Sequence, residues 1–273
     1  MTEQDVIMTE KKEYRYAVCV SSHQGSVRTD NEDNFVVNNV IREQDQPEAN
    51  LRGDGIPQPL ICAVFDGMGG EMNGGMASQI CAEQSKAVYG ALLGGTAAID
   101  DTVRSFVVNS NNAVVRMLEN SLAKRGGSTF VMVVLADGMV YPYSLGDSRL
   151  YHCDGANLRQ ITNDHTLAMK KYYANIYTLD EARESSDSHK LTSFLGVDFD
   201  EEGLSPESYR PFELLPGEKL LLCSDGLYDM CSEDEILALL REPSATVSLD
   251  LAEKAIENGG HDNVTCLVIE RQS

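Results

Sequence analysis

Short runs of apolar residues recur along most of the chain, and their length is typical of buried β-strands. Polar or glycine-containing segments separate them, as strand connections require. The predicted strands are residues 16–20, 35–37, 60–65, 129–135, 140–145, 150–153, 220–223 and 264–269.

Apolar residues at intervals of three and four predict two long helices, 75–93 and 97–122, between the third and fourth strands. Two shorter helices are predicted near the end of the chain. The first, 232–240, opens on a serine with Glu235 three residues on, which is a capping box, and the second is 246–257. Strands and helices do not alternate strictly, so a doubly wound parallel sheet is disfavoured. We expect an α+β fold with sheet packed on sheet and helices outside.

Two polar segments interrupt this pattern. Residues 42–59 are rich in Gln, Pro, Gly and charge, and we interpret them as a surface loop. Residues 166–190 carry neighbouring lysines and tyrosines, which predicts a mobile insertion with some helix. Neither has the character of an interdomain linker. We therefore expect a polar tail over 1–14 and a single domain over 15–271.

The chain has 273 residues and a formal net charge of −21. Because nucleic acid is bound through basic surfaces, this charge argues against such a partner. No apolar run reaches the roughly 18 residues that a membrane helix needs, and the first 16 residues are too polar for a secretory signal. The seven cysteines form no CxxC pair and four lie in apolar runs. We expect a reduced, cytoplasmic protein without a zinc site or disulfides.

Asp-Gly dipeptides occur five times, and their contexts separate turns from candidate sites. Asp137 and Asp154 each stand directly between two strand-like runs, which is the pattern of a tight hairpin turn. Asp66 and Asp225 instead end continuous apolar runs and lead towards a helix. An aspartate in that position is held rigidly at the rim of a sheet, and the glycine after it allows backbone or ligand to approach closely.

Further acids stand just before strands. Glu32 and Asp33 precede the strand at 35–37, and Asp262 precedes the strand at 264–269. If these strands run antiparallel to those that end in Asp66 and Asp225, all of these acids meet at one rim. Carboxylates at such short distances repel each other, and they all stay ionised only when cations lie beside them. Oxygen ligands suit Mg²⁺ or Mn²⁺. On position alone, the alternative of five unrelated surface acids stays open.

Six sequence blocks that include these acids resemble, in order and spacing, the signature blocks of the type 2C (PPM) protein phosphatases. They are RTDNED at 28–33, VFDGMGG at 64–70, LGDSR at 145–149, TNDHT at 162–166, LCSDGL at 222–227 and GGHDNVT at 259–265. GGST at 126–129 and LTSFLG at 191–196 look like two weaker blocks. The resemblance covers nearly the whole chain, and the length and the DGMGG form resemble the compact bacterial branch.

The resemblance implies a four-layer αββα sandwich, in which two central antiparallel sheets are flanked by helix pairs. It also implies two divalent metals, Mn²⁺ or Mg²⁺, at one end of the sandwich, with Asp66 bridging both. Arg28 corresponds to the phosphate-binding arginine, whose planar fork can bind two phosphoryl oxygens. Residues 166–190 fall where the family carries a variable flap. The remaining ligands implied are the Gly67 carbonyl, Glu32 through water, Asp33, Asp225 and Asp262.

Two departures from the family pattern bear on mechanism. Met68 stands where many members have a histidine that is proposed to protonate the leaving group, and methionine has no proton to donate. Lys124 and Arg125 stand where an aspartate often helps to bind a third metal. Asp229 matches another ligand of that metal, so the resemblance implies a third site that is weakened.

Other residues of the blocks are interpreted as structural. Asp147, Ser148 and Arg149 are expected to brace the sandwich. Asp164 and His165 have no second histidine nearby to complete a metal pair.

The resemblance favours a metal-dependent phosphatase that hydrolyses phosphoserine and phosphothreonine by direct attack of a hydroxide held between two metals. The expected partners are phosphoproteins, including a cytoplasmic serine/threonine kinase and its substrates, and we expect a monomer. One alternative is a pseudophosphatase that binds phosphoproteins without turnover, which the intact Asp66, Asp225 and Asp262 disfavour. Another is a metal hydrolase of small phosphate esters; the chain has no Walker motif and no serine-hydrolase elbow.

Overall fold

The computed structural model describes residues 13–69, 73–95, 98–122, 125–197 and 204–273, and two antiparallel sheets form its centre. The first sheet has the strand order β11 (Leu158–Gln160), β10 (Arg149–Cys153), β14 (Lys219–Cys223), β15 (Val264–Arg271), β1 (Arg15–His23) and β4 (Glu48–Pro57). The second has the order β12 (Glu207–Ser208), β9 (Met139–Leu145), β8 (Phe130–Ala136), β5 (Leu60–Phe65), β2 (Asn34–Val37) and β3 (Val40–Ile41), with β13 (Phe212–Glu213) also on β9. A separate pair joins β6 (Gly67–Met68) to β7 (Gly127–Ser128).

The main core lies between the two sheets. Val20 and Leu267 of the first sheet are buried against Val64 and Val131 of the second. Strands buried on both sides read as continuous apolar runs rather than alternating ones, which is why their positions were readable from the sequence. The eight predicted strands are confirmed in this way.

Helices cover the outer face of each sheet. The helices are α1 (Asn73–Leu93), α2 (Ile99–Glu119), α3 (Leu167–Tyr173), α4 (Leu179–Glu184), α5 (Asp225–Tyr228), α6 (Glu233–Arg241) and α7 (Val247–Glu257). Helices α1 and α2 pack on the second sheet, where Phe106 stacks edge-on against Phe130. Helices α6 and α7 pack on the first sheet through Ile236 and Leu251. The expected αββα order is therefore confirmed. No helix within the described ranges is long and apolar enough to cross a membrane.

Two local predictions from the sequence, a hairpin turn and a capping box, are confirmed. Asp137 and Gly138 both have positive φ, 50° and 80°, in the turn between β8 and β9, as a tight hairpin of this type requires. The capping box at Ser232 is present, with Glu235 bonded back to the cap.

The interpretation of residues 42–59 as a loop is wrong for most of the segment. Strand β4 runs along the edge of the first sheet and pairs with β1. Its first residues alternate between exposed polar and inward apolar side chains, with Ala49 and Leu51 packed on the core. That is the period of a half-exposed strand, but the Gly53-Asp54-Gly55 sequence that follows has the composition of a turn and obscured it.

The predicted insertion at 166–190 contains helices α3 and α4, each with a threonine cap. Its two ends are joined, because the Leu167 N–H donates to the Lys190 carbonyl at 2.8 Å. Asp187 inside it forms ion pairs with Lys171 and with Lys190. Of the predicted tail, residues 1–12 lie outside the described residues. Tyr14 stacks beneath the Arg271 guanidinium at 4.9 Å.

Candidate active site

Antiparallel pairing places the predicted acids at one end of each sheet. In the second sheet Asn34 pairs with Phe65, so Asp33 before β2 and Asp66 after β5 are neighbours. In the first sheet β14 pairs with β15, so Asp225 after β14 lies beside Asp262 before β15. The four aspartates also interact electrostatically, because the charges of Asp33, Asp225 and Asp262 raise the pKa of Asp66.

Ser224 joins the two rims. Its hydroxyl donates to Asp33 Oδ2 at 2.7 Å and accepts the Thr265 N–H at 2.9 Å. One side chain thus fixes a carboxylate of the second sheet to the strand ends of the first. We did not single out Ser224 from the sequence, although its place directly before Asp225 is a signal that points to it.

Glycine allows the close packing around these acids. A Cβ atom on Gly226 would overlap the Asn263 carbonyl oxygen, and one on Gly67 would overlap the Gly74 carbonyl oxygen. A Cβ atom on Gly74 would lie 2.8 Å from the Glu32 carboxylate. Only glycine accommodates backbone this close. The glycines of the two Asp-Gly pairs that end buried strands therefore do lie against neighbouring backbone.

Arg28 lies at the mouth of the site. Its Nη2 donates to Asp262 Oδ2 at 2.6 Å, and its side chain is 51% exposed. The loop that carries it is held by the Asn263 amide, which donates to the Gln24 and Asp30 carbonyls and accepts the Glu32 N–H at 2.8 Å. Asn263 thus fixes Arg28 and Glu32 relative to Asp262, a role that we did not infer from the sequence.

Arg42 is a further residue that sequence reasoning missed. It is fully buried, and its Nε donates to the Asp33 carbonyl at 2.9 Å while Nη2 donates to the Asn31 carbonyl at 2.7 Å. The guanidinium therefore holds the backbone on which Asp33 is mounted. We had placed Arg42 in a surface loop, where a charged residue carries no such signal.

The electrostatics of the rim oppose full ionisation. Desolvation by burial and repulsion from neighbouring carboxylates raise the pKa values of Asp66 and Asp225 well above the usual range. Burial also raises the pKa of Asp33 to about 6 and that of Asp147 to about 7. Such groups ionise together at neutral pH only when cations compensate them.

Divalent cations fit this rim. Glu32 Oε1 is buried and has no hydrogen-bond partner within the part of the chain that is described. A buried acceptor without a partner is costly and points to a missing ion or water. The oxygen-rich set around it matches the preference of Mg²⁺ and Mn²⁺. The structure therefore places Glu32, Asp33, Asp66, Gly67, Asp225 and Asp262 at these ends of the two sheets, with Arg28 in contact with Asp262.

The carboxylate of Asp229 lies one helical turn beyond Asp225, next to an imidazole that sequence reasoning missed. His189, Asp225 and Asp229 each offer one ligand atom, and these atoms lie within 4.8 Å of one another. Among the described residues this is the one group of three that meets that distance. Lys124, the residue that departs from the family pattern nearby, lies outside the described residues.

Arg149 braces the base of the site, as expected. It makes a paired contact with Asp164, with Nη2 at 2.6 Å from Oδ2 and Nε at 3.0 Å from Oδ1, and its guanidinium stacks 3.5 Å from the Tyr228 ring centre. Tyr228 in turn donates to the Asp147 carbonyl. These contacts connect β10 to α5, which carries Asp225.

Arg149→Ala is expected to lower the free energy of unfolding by about 2 kcal/mol, because it strands the mostly buried Asp164 carboxylate without its partner. Urea denaturation followed by circular dichroism measures this change. The exposed pair between Arg52 and Asp54 is the control, and Arg52→Ala should cost less than about 1 kcal/mol. Equal losses in the two variants would contradict the bracing role.

The metal-free protein is expected to gain stability as the pH falls from about 7 to about 5. The pKa values of Asp33 and Asp147 are raised to about 6 and about 7, so in this window the folded state binds protons that the unfolded state, with an aspartate pKa near 4, does not bind. Stability therefore rises as the pH falls. Thermal melts in EDTA would show it, and a melting temperature that falls steadily from pH 7 to pH 5 would contradict it.

Comparison with known proteins agrees with this arrangement. The family model for protein phosphatase 2C matches residues 44–256. Serine/threonine phosphatase Stp from Listeria welshimeri is 30% identical over 254 residues, which cover 91% of this chain and 93% of that protein.

Solved structures give the same result. The PPM Ser-Thr phosphatase MsPP from Mycobacterium smegmatis, in complex with cacodylate, superimposes with a TM-score of 0.73 at 28% identity over 93% of this chain and 97% of that one. The catalytic domain of the serine/threonine protein phosphatase PstP, in complex with two manganese ions, gives 0.73 at 26% identity over 95% and 100%. This chain therefore belongs to the protein phosphatase 2C family, and the relatives that it matches are serine/threonine phosphatases.

Proposed function

We propose that this serine/threonine protein phosphatase hydrolyses phosphoserine and phosphothreonine esters with two divalent cations held by the carboxylate rim. The observation that carries the proposal is the set of acids at the strand ends, whose pKa values are raised by burial and mutual repulsion and which includes a buried Glu32 oxygen without a described partner. A site built in this way gains stability when cations enter it.

The residues that would hold the two ions are Asp66, with a carboxylate oxygen for each ion, and Glu32, Asp33, the Gly67 carbonyl, Asp225 and Asp262. When bound, the two cations supply charge neutralisation and an acidified water as the nucleophile, which is what hydrolysis of a phosphate dianion requires. PstP, a structural relative, is in complex with two manganese ions, which supports Mn²⁺ here, and Mg²⁺ has the same ligand preference.

Arg28 is proposed to bind the phosphoryl group. Its guanidinium is exposed at the mouth of the site and already held towards the rim by Asp262. A planar fork of N–H donors binds two phosphoryl oxygens at once and offsets the charge that the carboxylates would repel. Met68 has no proton to give to the leaving alkoxide, so this proposal assigns no protein side chain to that step.

The domain organisation, the partners and the cellular location are proposed on the same grounds. We propose that residues 15–271 form one catalytic domain, with 1–14 as a tail and 166–190 as a flap beside the site. The proposed partners are phosphoproteins, among them a serine/threonine kinase and its substrates, and the protein is proposed to act as a cytoplasmic monomer in signalling.

Hydrolysis of a phosphothreonine peptide in Mn²⁺, with and without EDTA, tests the function. We expect turnover with Mn²⁺ and its loss in EDTA, with recovery when Mn²⁺ is added back. Turnover that persists after chelation would refute the metal mechanism. Binding of the phosphopeptide without turnover under any metal would favour the alternative of a phosphoprotein-binding pseudophosphatase.

A further inference from the structure

Within the described part of the chain, the helices outside the first sheet leave part of its outer face uncovered. Helices α6 and α7 have 9 and 11 residues, whereas α1 and α2 outside the second sheet have 21 each. Because each helical residue adds about 1.5 Å, the shorter helices span about half the length of the longer ones. A cavity of about 530 Å³ lies between the end of α6, the start of α7 and strands β1, β14 and β15. Small-molecule sites have volumes in this range.

The floor of this cavity is apolar. Side chains alternate along β1, and Val18 and Val20 belong to the core between the sheets, so Ala17 and Cys19 lie on the outer face. Cys19 stands opposite Val268 of β15 in the register of the sheet. Ala17, Cys19 and Val268 all line the cavity. A molecule bound there would therefore place an apolar part against β1 and β15.

A mostly buried ammonium group lies at the side of the cavity that α6 forms. Lys219 is 9% exposed, and its Nζ donates to the carbonyls of Leu240 and Glu242 at 2.7 and 3.4 Å. Among the described residues the nearest carboxylate oxygen is Oε2 of Glu270, at 3.8 Å, which is too long for a hydrogen bond. An ammonium group has three donors. Within the described ranges, one donor of Lys219 is therefore left for a ligand.

Cations outnumber carboxylates around the cavity, although the whole chain has a formal net charge of −21. The charged residues that line it are Lys219, Arg241, Arg52, Asp54 and Glu270. Arg52 and Asp54 pair with each other at 3.0 Å. Arg241 donates to two backbone carbonyls and pairs with no carboxylate among the described residues. The end of α6 therefore carries positive charge that an anion can neutralise.

We propose that this cavity binds a small organic anion, whose carboxylate or sulfonate group lies beside Lys219 and Arg241 and whose apolar body lies on the floor. A hydrogen bond between an ammonium group and an anionic oxygen is roughly twice as strong as one between neutral groups, and burial strengthens it further. The inference does not depend on the proposed function, because Lys219 begins β14 while Asp225 follows its other end.

Two fluorescent probes that differ in one charged group test the site in the full chain. Anilinonaphthalene sulfonate has an apolar body and an anionic group, and phenylnaphthylamine is its uncharged counterpart. We expect one saturable binding event for the sulfonate in fluorescence and calorimetric titrations. The uncharged probe should bind at least about tenfold more weakly, because it forms no hydrogen bond to a charged group.

Lys219→Met keeps most of the side-chain volume and removes the charge. It should weaken sulfonate binding at least about tenfold and leave the affinity for the uncharged probe unchanged. Lys86→Met is the matched control, because it makes the same change on α1, outside the second sheet, where Lys86 pairs with Glu83 at 2.8 Å. Neither probe should bind differently to this variant.

Ala17→Leu tests the position of the site without changing any charge. The larger side chain occupies the floor of the cavity, so both probes should bind at least about tenfold more weakly. Circular dichroism checks that each variant is folded. If Lys219→Met does not fold, the comparison of the two probes and the Ala17→Leu protein decide the question.

Four outcomes would overturn the site. They are the absence of saturable sulfonate binding, equal affinities of the unaltered protein for the two probes, sulfonate binding that Ala17→Leu leaves intact, and a loss in Lys86→Met as large as that in Lys219→Met. Equal affinities would show an apolar cavity that does not recognise anions. An equal loss in the two methionine variants would show that the sulfonate responds to the net charge of the protein and not to Lys219.

Discussion

Asp66→Asn is expected to lower kcat for phosphopeptide hydrolysis by at least about 10³-fold while it stabilises the metal-free protein. Metal ions contribute several kcal/mol to reactions of this class, and each 1.4 kcal/mol is about tenfold in rate. Asn keeps the shape of Asp but loses the charge that would join two cations. Steady-state kinetics over a series of Mn²⁺ concentrations measures the loss, which excess Mn²⁺ should not restore.

The gain in stability follows from the same electrostatics. Burial and the charges of Asp225, Asp33, Asp147 and Asp262 raise the pKa of Asp66, so its ionised form destabilises the folded state at pH 7. Removing the charge should raise the melting temperature in EDTA by at least about 2 °C.

Asp137→Asn is the matched control for Asp66→Asn. It makes the same chemical change at an exposed turn position with φ of 50°, a conformation that Asn adopts readily. Activity and melting temperature should both stay unchanged. An Asp66→Asn protein that keeps more than a tenth of the normal kcat would contradict the bridging role, and a lower melting temperature in EDTA would contradict the electrostatic account.

The position of the carboxylate rim was readable from the sequence because it depends on strand ends alone. Buried strands are continuous apolar runs, and antiparallel neighbours bring the end of one to the start of the next. Asp33 and Asp66 meet for this reason, and so do Asp225 and Asp262. The antiparallel order of the strands is enough to predict that these aspartates meet.

Contacts that depend on the path of a loop were not readable in this way. Arg42 reaches the Asp33 backbone only because the chain turns back through β3, and the residues that follow it in sequence are polar. His189 meets Asp229 across 40 residues because the two ends of the flap are joined at Leu167 and Lys190. No periodic pattern encodes such a contact. Strand β4 was missed for a different reason, since the glycines at its centre resemble those of a turn.

Arg28→Ala is expected to lower kcat/KM for a phosphopeptide by about 10²–10³-fold, the usual effect of removing one preorganised group that stabilises charge in the transition state. Arg28→Lys should recover only part of the loss, because an ammonium group keeps the charge but lacks the fork that binds two oxygens. Kinetics with phosphopeptide and with p-nitrophenyl phosphate measure both variants.

Metal binding distinguishes a phosphate-binding role for Arg28 from a role in holding the carboxylate rim. Arg28 shares Asp262 with the proposed metals, so its removal frees a ligand oxygen, and Mn²⁺ affinity should hold steady or increase while kcat/KM falls. Arg52→Ala is the control, since Arg52 is similarly exposed, at 53%, and forms an ion pair with Asp54 at 3.0 Å away from the strand ends that carry the acids. A fall in Mn²⁺ affinity that accounts for the whole kinetic defect of Arg28→Ala would show that Arg28 organises the metal ligands instead of binding phosphate.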